Sequence, residues 1–298
     1  MSKARPILAA IAALIVGLAA FGSGGAARAE PALWVVKGPH AKIYLFGTIH
    51  VLKPSQQWRT PAIDKALAES QALWLEIPDA GDTDAARRYV QQLGLDSAHP
   101  LSTKLSSADV QRVDAAVRAL GSSKGEAAFE PMQPWLAAVT LSVLPDIKAG
   151  YAPDSGVERI LSREALAQGK PIKGFETLGE QLHFFADLPQ DEQVALLDST
   201  LDDIAEASDK TDEMVRAWAT GDVERLGRLT DENLKKESPG LYEILLTQRN
   251  QNWAAVLDQR LRQDEGIIFV AVGAGHLAGP DSLLRDLEAR GYRVVRVH

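Results

Sequence analysis

Two apolar runs, more than two hundred positions apart, end in the same way. Ile43-Tyr44-Leu45-Phe46 passes into Gly47-Thr48-Ile49-His50, and Ile267-Ile268-Phe269-Val270-Ala271-Val272 passes into Gly273-Ala274-Gly275-His276. Each run is short, rich in β-branched and aromatic residues and closed by glycine, which reads as a buried strand. In open α/β sheets, ligands bind beyond the carboxyl ends of the parallel strands. Both histidines fall at such a position. Glycine suits a sharp exit from a strand or a close approach of backbone to a ligand.

The flanking sequence constrains how these strands are joined. Leu33-Trp34-Val35-Val36 and the strand 43–47 are linked by Gly38-Pro39-His40, as in an opening hairpin. Residues 61–70 read as a helix with Thr60 as N-cap and Pro61 at the first helical position. Ala72-Leu73-Trp74-Leu75-Glu76-Ile77 is a further strand, so strand, helix and strand make a βαβ unit with parallel pairing. A second such unit closes the chain: strand 267–272, helix 280–290 stopped by Gly291, and strand 292–297.

Between them the pattern is mainly helical, over 82–93, 106–120, 131–146, 156–168, 177–186, 190–207, 210–219, 222–235 and 240–262. Thr177 and Asp222 are plausible N-caps. A short strand, 171–175, interrupts this series and ends at Glu176. The expected fold class is α/β, leaning towards α+β: a small mixed, mostly parallel sheet formed by both chain ends, with a large helical insertion. One domain is expected over 30–298, with 82–265 as the insertion.

The start of the chain has its own pattern. Lys3 and Arg5 precede an uncharged stretch from Pro6 to Phe21, and Ala27-Arg28-Ala29 offers small residues for cleavage. That is the layout of a secretory signal peptide, residues 1–29, and the apolar run is too short for a spanning helix. Export to the periplasm or medium follows, with no stable membrane anchor after cleavage. The chain has no cysteine, which excludes disulfides, thiol catalysis and thiolate metal sites. Its net charge of −8 becomes −11 without Lys3, Arg5 and Arg28. Such acidity argues against nucleic acid or anionic membrane as a partner and leaves a peptide or small-molecule substrate.

If the strands 43–47, 72–77, 171–175 and 267–272 are parallel, His50, Glu76, Glu176 and His276 gather along one sheet edge. A lone histidine after a strand is commonly a satisfied loop residue, but two in matching contexts favour a site. Imidazole is the commonest protein ligand for transition metals and titrates near working pH. Two histidines and one carboxylate with an open position form a known arrangement for metal-activated water. The expectation is a divalent ion (Zn, Mn or Co) held by His50, His276 and Glu76 or Glu176. The other carboxylate would act as general base, and Gly47, Gly273 and Gly275 would let the backbone approach the cofactor.

Arg249-Asn250-Gln251-Asn252 lies on the long C-terminal helix, where i, i+3 spacing puts Arg249 and Asn252 on one face and turns Asn250 away by about 100°. Arg249 or Asn250 would stabilise a developing oxyanion. His40, His99 and His183 read as turn, loop and helix-surface residues. No nucleophile elbow, His-Glu-x-x-His helix, Walker loop or dinucleotide-binding glycine motif occurs.

The ordered set of motifs resembles the TraB/GumN family, related to the TIKI metallopeptidases and more distantly to erythromycin esterase and haem-binding ChaN-like groups. The matching blocks are Tyr44 to Val51, Leu73-Trp74-Leu75-Glu76, Pro134-Trp135-Leu136-Ala137, Gly174 to Leu178 with Gln181, Arg249-Asn250 with Asn252, and Val270 to Leu277 followed by Gly279-Pro280. The resemblance implies a site on His50 and His276, with Glu76 and the Arg249/Asn250 region nearby. Its TIKI branch implies a metal-dependent peptidase. At Gly156-Val157-Glu158 the chain departs from relatives expected to carry aspartate, and the extra methylene bears on that side chain's reach. The alternatives are a non-catalytic metal- or haem-binding protein and a metal-free esterase-like hydrolase with histidine as base.

Overall fold

The strands β1 (Leu33–Lys37), β2 (Ala41–Thr48), β3 (Ala72–Leu75), β4 (Ile172–Gly174), β5 (Gly266–Gly273) and β6 (Val294–Arg296) form one sheet in the order β4-β3-β5-β2-β1-β6. The computed structural model describes residues 29–78, 82–122 and 125–297. The expected signal peptide, apart from Ala29, lies outside the described residues.

β2, β5, β3 and β4 are mutually parallel, while β1 runs antiparallel to β2 and β6. The hairpin and the mixed, mostly parallel sheet built from both chain ends are as expected. β5 sits between β2 and β3 and is covered on both sides, which is why its sequence is continuously apolar rather than alternating. Its side chains still alternate between two cores. Phe269 and Ala271 join Phe46, Leu73, Leu75 and Trp218 on one face. Val270 and Val272 join Ile43, Leu45, Trp253 and Leu257 on the other. The insertion adds a third core around Leu101, Val113, Leu141, Leu197 and Tyr242.

Local signals set several boundaries. The Thr60 side chain accepts from the Ile63 amide ahead of Pro61–Glu69, and Thr177 with Glu180 forms a capping box ahead of Leu178–Ala186. The Asp222 side chain accepts from the Arg225 amide. Other boundaries move. The helix expected from 131 begins at Pro134, because proline suits the first helical turn, and runs to Lys148. The helix expected over 240–262 is instead Pro239–Tyr242, a wide π-type turn Glu243–Thr247, and Gln248–Gln263. Such wide turns recur at functional sites, and this one delivers the Arg249 guanidinium back to the Leu245 carbonyl, 3.0 Å away. No helix among the described residues is long and apolar enough to cross a membrane.

Candidate functional site

Register brings the four expected side chains together. Thr48 pairs with Gly273, Ala271 with Leu75, and Leu75 with Gly174, so the parallel strands end almost level. Glu76 directly follows β3, Glu176 lies two residues beyond β4, and both Gly-x-x-His turns leave the same edge. The Gln248–Gln263 helix packs on the Val270/Val272 face and carries Arg249 to this edge.

Arg249 organises the carboxylates. Its Nη2 donates to Glu76 Oε2 (2.7 Å) and Glu176 Oε2 (2.9 Å), and its Nε donates to Glu176 Oε1 (2.8 Å). Trp253 Nε1 donates to the same Glu176 oxygen at 3.0 Å. Gln181 bridges the two carboxylates, donating to Glu176 at 2.8 Å and Glu76 at 3.1 Å. The Gly273 amide donates to Glu76 Oε1 at 2.6 Å. Burial alone would raise the Glu76 pKa, but Arg249, both histidines and that amide hold it well below the ordinary carboxylate range. Glu76 is therefore a fixed negative charge and a poor proton acceptor.

His276 is set by a different chain of contacts. Asn250 Nδ2 donates to the Asp281 carbonyl (2.8 Å), which orients the amide so that Asn250 Oδ1 accepts from His276 Nδ1 (2.7 Å). The proton is thereby assigned to Nδ1, and Nε2 accepts from Arg249 Nη1 at 3.1 Å. Trp253 lies against the imidazole, with ring centroids 4.4 Å apart. Burial first, and then the Arg249 charge, pushes the His276 pKa down to about 3, so it stands neutral.

His50 is half-buried, and its Nδ1 meets Glu158 Oε1 at 2.9 Å. Burial opposes the imidazolium, but Glu158 outweighs it, Glu76 adds to the effect, and the pKa is pushed up to about 9. The glutamate at position 158 thus reaches its partner despite the longer side chain. Close backbone approach makes the contact possible: a Cβ on Gly156 would lie 2.1 Å from the His50 carbonyl.

The glycines of the two turns differ in role. A Cβ on Gly273 would lie 3.0 Å from Glu76 Oε1, 3.6 Å from His276 Cδ2 and 3.9 Å from His50 Nε2, so Gly273 occupies the centre of the constellation. Gly275 has no neighbour closer than 3.6 Å to such an atom. The Gly47 carbonyl accepts from Trp218 Nε1 at 2.8 Å and faces the core.

Two hollows adjoin the constellation. One, of about 140 Å³, has apolar walls including Val139, Phe184, Phe185, Leu245 and Leu246 over a floor of His50, Glu76, Arg249 and His276. The other, of about 160 Å³, is lined by Thr48 and Glu158 and shares His50, Glu76 and Gln181 with the first. A wider groove of about 690 Å³ beside Trp34, Arg228, Arg285 and Val294 touches none of these groups.

The expectation for Arg249 and its neighbours changes in one respect. Asn250, fully buried, joins Arg249 at the site, whereas Asn252 is exposed. The His276 ring lies beside the helix flank, so adjacent residues reach its two nitrogens and the i, i+3 partner does not. Asn250 spends its amide on His276 and Asp281, which makes it a positioning residue. Glu158, Gln181 and Thr48 also belong here. Helix spacing gave no signal for Glu158, whose partner is over a hundred residues away.

The expected metal ligands are already engaged by neighbours. His276 Nε2 and both Glu76 oxygens point at Arg249, Gly273 and Gln181. Among the described residues, no three His, Asp or Glu side chains form a group that could hold an ion. As arranged, the donor set does not fit a divalent cation, because Arg249, Gln181 and the Gly273 amide already occupy the carboxylate oxygens such an ion would need.

Comparison with known proteins agrees with the ordered motifs. An uncharacterized protein of Treponema pallidum (strain Nichols) is 24% identical over 281 residues, covering 88% of this chain and 81% of its own. No solved structure matches. The model of the TraB/PrgY/gumN family matches residues 32–296, from the first strand to the last, and the chain belongs to that family.

Proposed function

We propose that the chain is a hydrolase of acyl bonds, ester or amide, in which His50 exchanges the proton. The observation that carries this reading is the His50–Glu158 pair at the shared wall of the two hollows. A carboxylate on Nδ1 holds the imidazole in one orientation and stabilises the imidazolium that forms when Nε2 takes a proton. Glu76 and Glu176 are saturated by Arg249, Gln181, Trp253 and Gly273, which leaves His50 as the base.

In the reaction, neutral His50 removes a proton from water as its oxygen adds to the acyl carbon. The same proton passes to the departing alcohol or amine as the acyl bond breaks. One water is consumed, and His50 returns to its starting state. Arg249, whose N–H groups are spent on Glu76, Glu176, His276 and the Leu245 carbonyl, contributes only its charge at the cavity floor where the oxyanion develops. Because the His50 pKa is pushed up to about 9, turnover should climb with pH towards that value.

The test is a panel of p-nitrophenyl esters and amino-acid p-nitroanilides with wild type and His50→Gln, each with and without EDTA. Turnover that survives EDTA and vanishes in folded His50→Gln supports the proposal. Equal turnover in both proteins refutes it. A second reading keeps the divalent ion, because His50, Glu76 and His276 do surround Gly273. It requires Arg249 to withdraw from Glu76, and it predicts metal in the purified protein and loss of turnover with EDTA. Metal or haem uptake with no turnover of any substrate would favour a binding protein.

A further inference from the structure

Two residues that line the second hollow each carry a buried polar atom that the site has not used. Thr48 is 1% exposed and its Oγ1 has no hydrogen-bond partner, and Glu158 Oε2 is buried without one. Both residues line that hollow. Buried polar atoms in folded proteins are ordinarily hydrogen-bonded, so two unpaired ones on residues of one cavity call for a ligand that donates hydrogen bonds. A carboxylate oxygen can only accept, and a hydroxyl can do so as well.

Charge points the same way. Glu76, Glu158 and Glu176 bring three carboxylates to the site, against Arg249 and the His50 imidazolium. One negative charge is left over, and a second when His50 is neutral. Buried charges are ordinarily paired. A ligand with one positive charge and several N–H donors meets both requirements, which describes a primary ammonium group.

The first hollow states what the ammonium is attached to. Its walls are Val139, Phe184, Phe185, Leu234, Leu245 and Leu246, with no charge above the floor. At about 140 Å³ it falls below the roughly 300–1,000 Å³ of sites that enclose drug-sized ligands, and so admits one side chain. The two hollows meet at His50, Glu76 and Gln181, so the ammonium and the apolar group belong to one small unit.

We propose that the site reads the free N-terminal residue of a peptide, its α-ammonium at Thr48 and Glu158 and its apolar side chain against Phe184 and Leu246. This inference rests on the acyl-hydrolase reading above and makes that hydrolase an aminopeptidase. A lysine side chain carries the same ammonium, but on a long stem that separates it from any apolar branch.

Binding is measured by calorimetry on EDTA-treated protein. The probes are L-leucinamide, 4-methylpentanamide (the same molecule without its amine), N-acetyl-L-leucinamide and Nα-acetyl-L-lysinamide. L-leucinamide is expected to bind at least tenfold more tightly than the other three. Thr48→Val, which removes the hydroxyl at nearly constant shape, is expected to weaken only L-leucinamide, by about fivefold, with an unchanged melting temperature. Equal affinity for L-leucinamide and 4-methylpentanamide, no binding of either, or an unchanged affinity in Thr48→Val would overturn the inference. Preference for the lysinamide would overturn the α-amine assignment. Since binding is read without turnover, an active His50 enzyme that ignores the amine would sink this inference alone. Tight binding without hydrolysis would sink only the reaction.

Discussion

His50 and His276 leave neighbouring parallel strands at the same level, each three residues beyond a glycine, yet they meet opposite surroundings. His276 is 5% exposed, held between the Asn250 amide and the Arg249 guanidinium under Trp253, and is pushed towards neutrality. His50 faces the hollows, takes a carboxylate on Nδ1, and is pushed towards the charged form. All of these partners except the backbone come from the helices between the two strands. The paired turns therefore supply positions, and the insertion supplies chemistry. Pairs of groups whose environments drive their pKa values apart are how one site holds distinct proton roles.

Arg249 is where the comparison is most easily broken. Arg249→Ala leaves Glu76 and Glu176 buried without their cation, which for a buried pair costs about 3–5 kcal/mol. Urea unfolding should show a loss of that size, and the His276 pKa should rise part of the way back, since burial still holds it down. A loss below about 1 kcal/mol would mean that the carboxylates are not held as described. The next largest effect separates the histidines by activity. His50→Gln should lower turnover by about 10²–10⁴-fold, the usual worth of a positioned acid–base group, at a stability cost of only the roughly 1–2 kcal/mol that its protonation contributes near neutral pH. His276→Gln should instead unseat Asn250 and Trp253 and register first in stability. If the two variants behave alike, the division of roles is wrong.

A smaller contrast lies within the second turn. Gly273→Ala forces a methyl to 3.0 Å from Glu76 Oε1, against the amide–carboxylate bond. A displacement of that order in a catalytic constellation can cost about 10²-fold in turnover. Gly275→Ala meets nothing closer than 3.6 Å and should retain near-normal kcat. Assays of the two variants side by side would expose any error in which glycine is central.

Sequence reasoning reached the sheet because burial on both faces leaves a continuous apolar run, and reached His50, Glu76, Glu176 and His276 because parallel strands end together. Periodicity also placed Thr60, Thr177 and Asp222 as caps. What it could not reach was pairing across the chain. Nothing local marks Glu158 as the partner of His50, or Gln181 as the bridge between the carboxylates. Spacing put Asn252 on the Arg249 face and turned Asn250 away, which shows why: helical spacing gives direction but not what lies in that direction. The metal expectation turned on the same gap, since the donors were legible but the Arg249 bonds that occupy them were not.

The opposite shifts also set opposite pH windows, and these give the smallest predicted effect. His50 has a folded pKa raised from about 6.5 to about 9, so the folded state binds its proton more tightly than the unfolded chain. Its contribution to stability is complete below pH 6.5 and is lost as pH rises through 9. His276 is lowered from about 6.5 to about 3, so below pH 6.5 the unfolded chain takes up a proton that the folded state refuses. Its effect is a loss of stability as pH falls from 6.5 towards 3. Wild type should therefore lose roughly 1–2 kcal/mol between pH 7 and 9, and His50→Gln should lose markedly less over that range. His276→Gln, although less stable, should have a flatter acid limb. The Glu76 carboxylate contributes to acid loss in every variant, so the slopes rather than the absolute values must be compared. Proton NMR of the imidazole Cε1–H resonances reads the same equilibria directly. One midpoint near 9, and one ring with no titration between pH 5 and 9, would establish the asymmetry. Two midpoints near 6.5 would return the two turns to equivalence and remove the basis for giving His50 the proton.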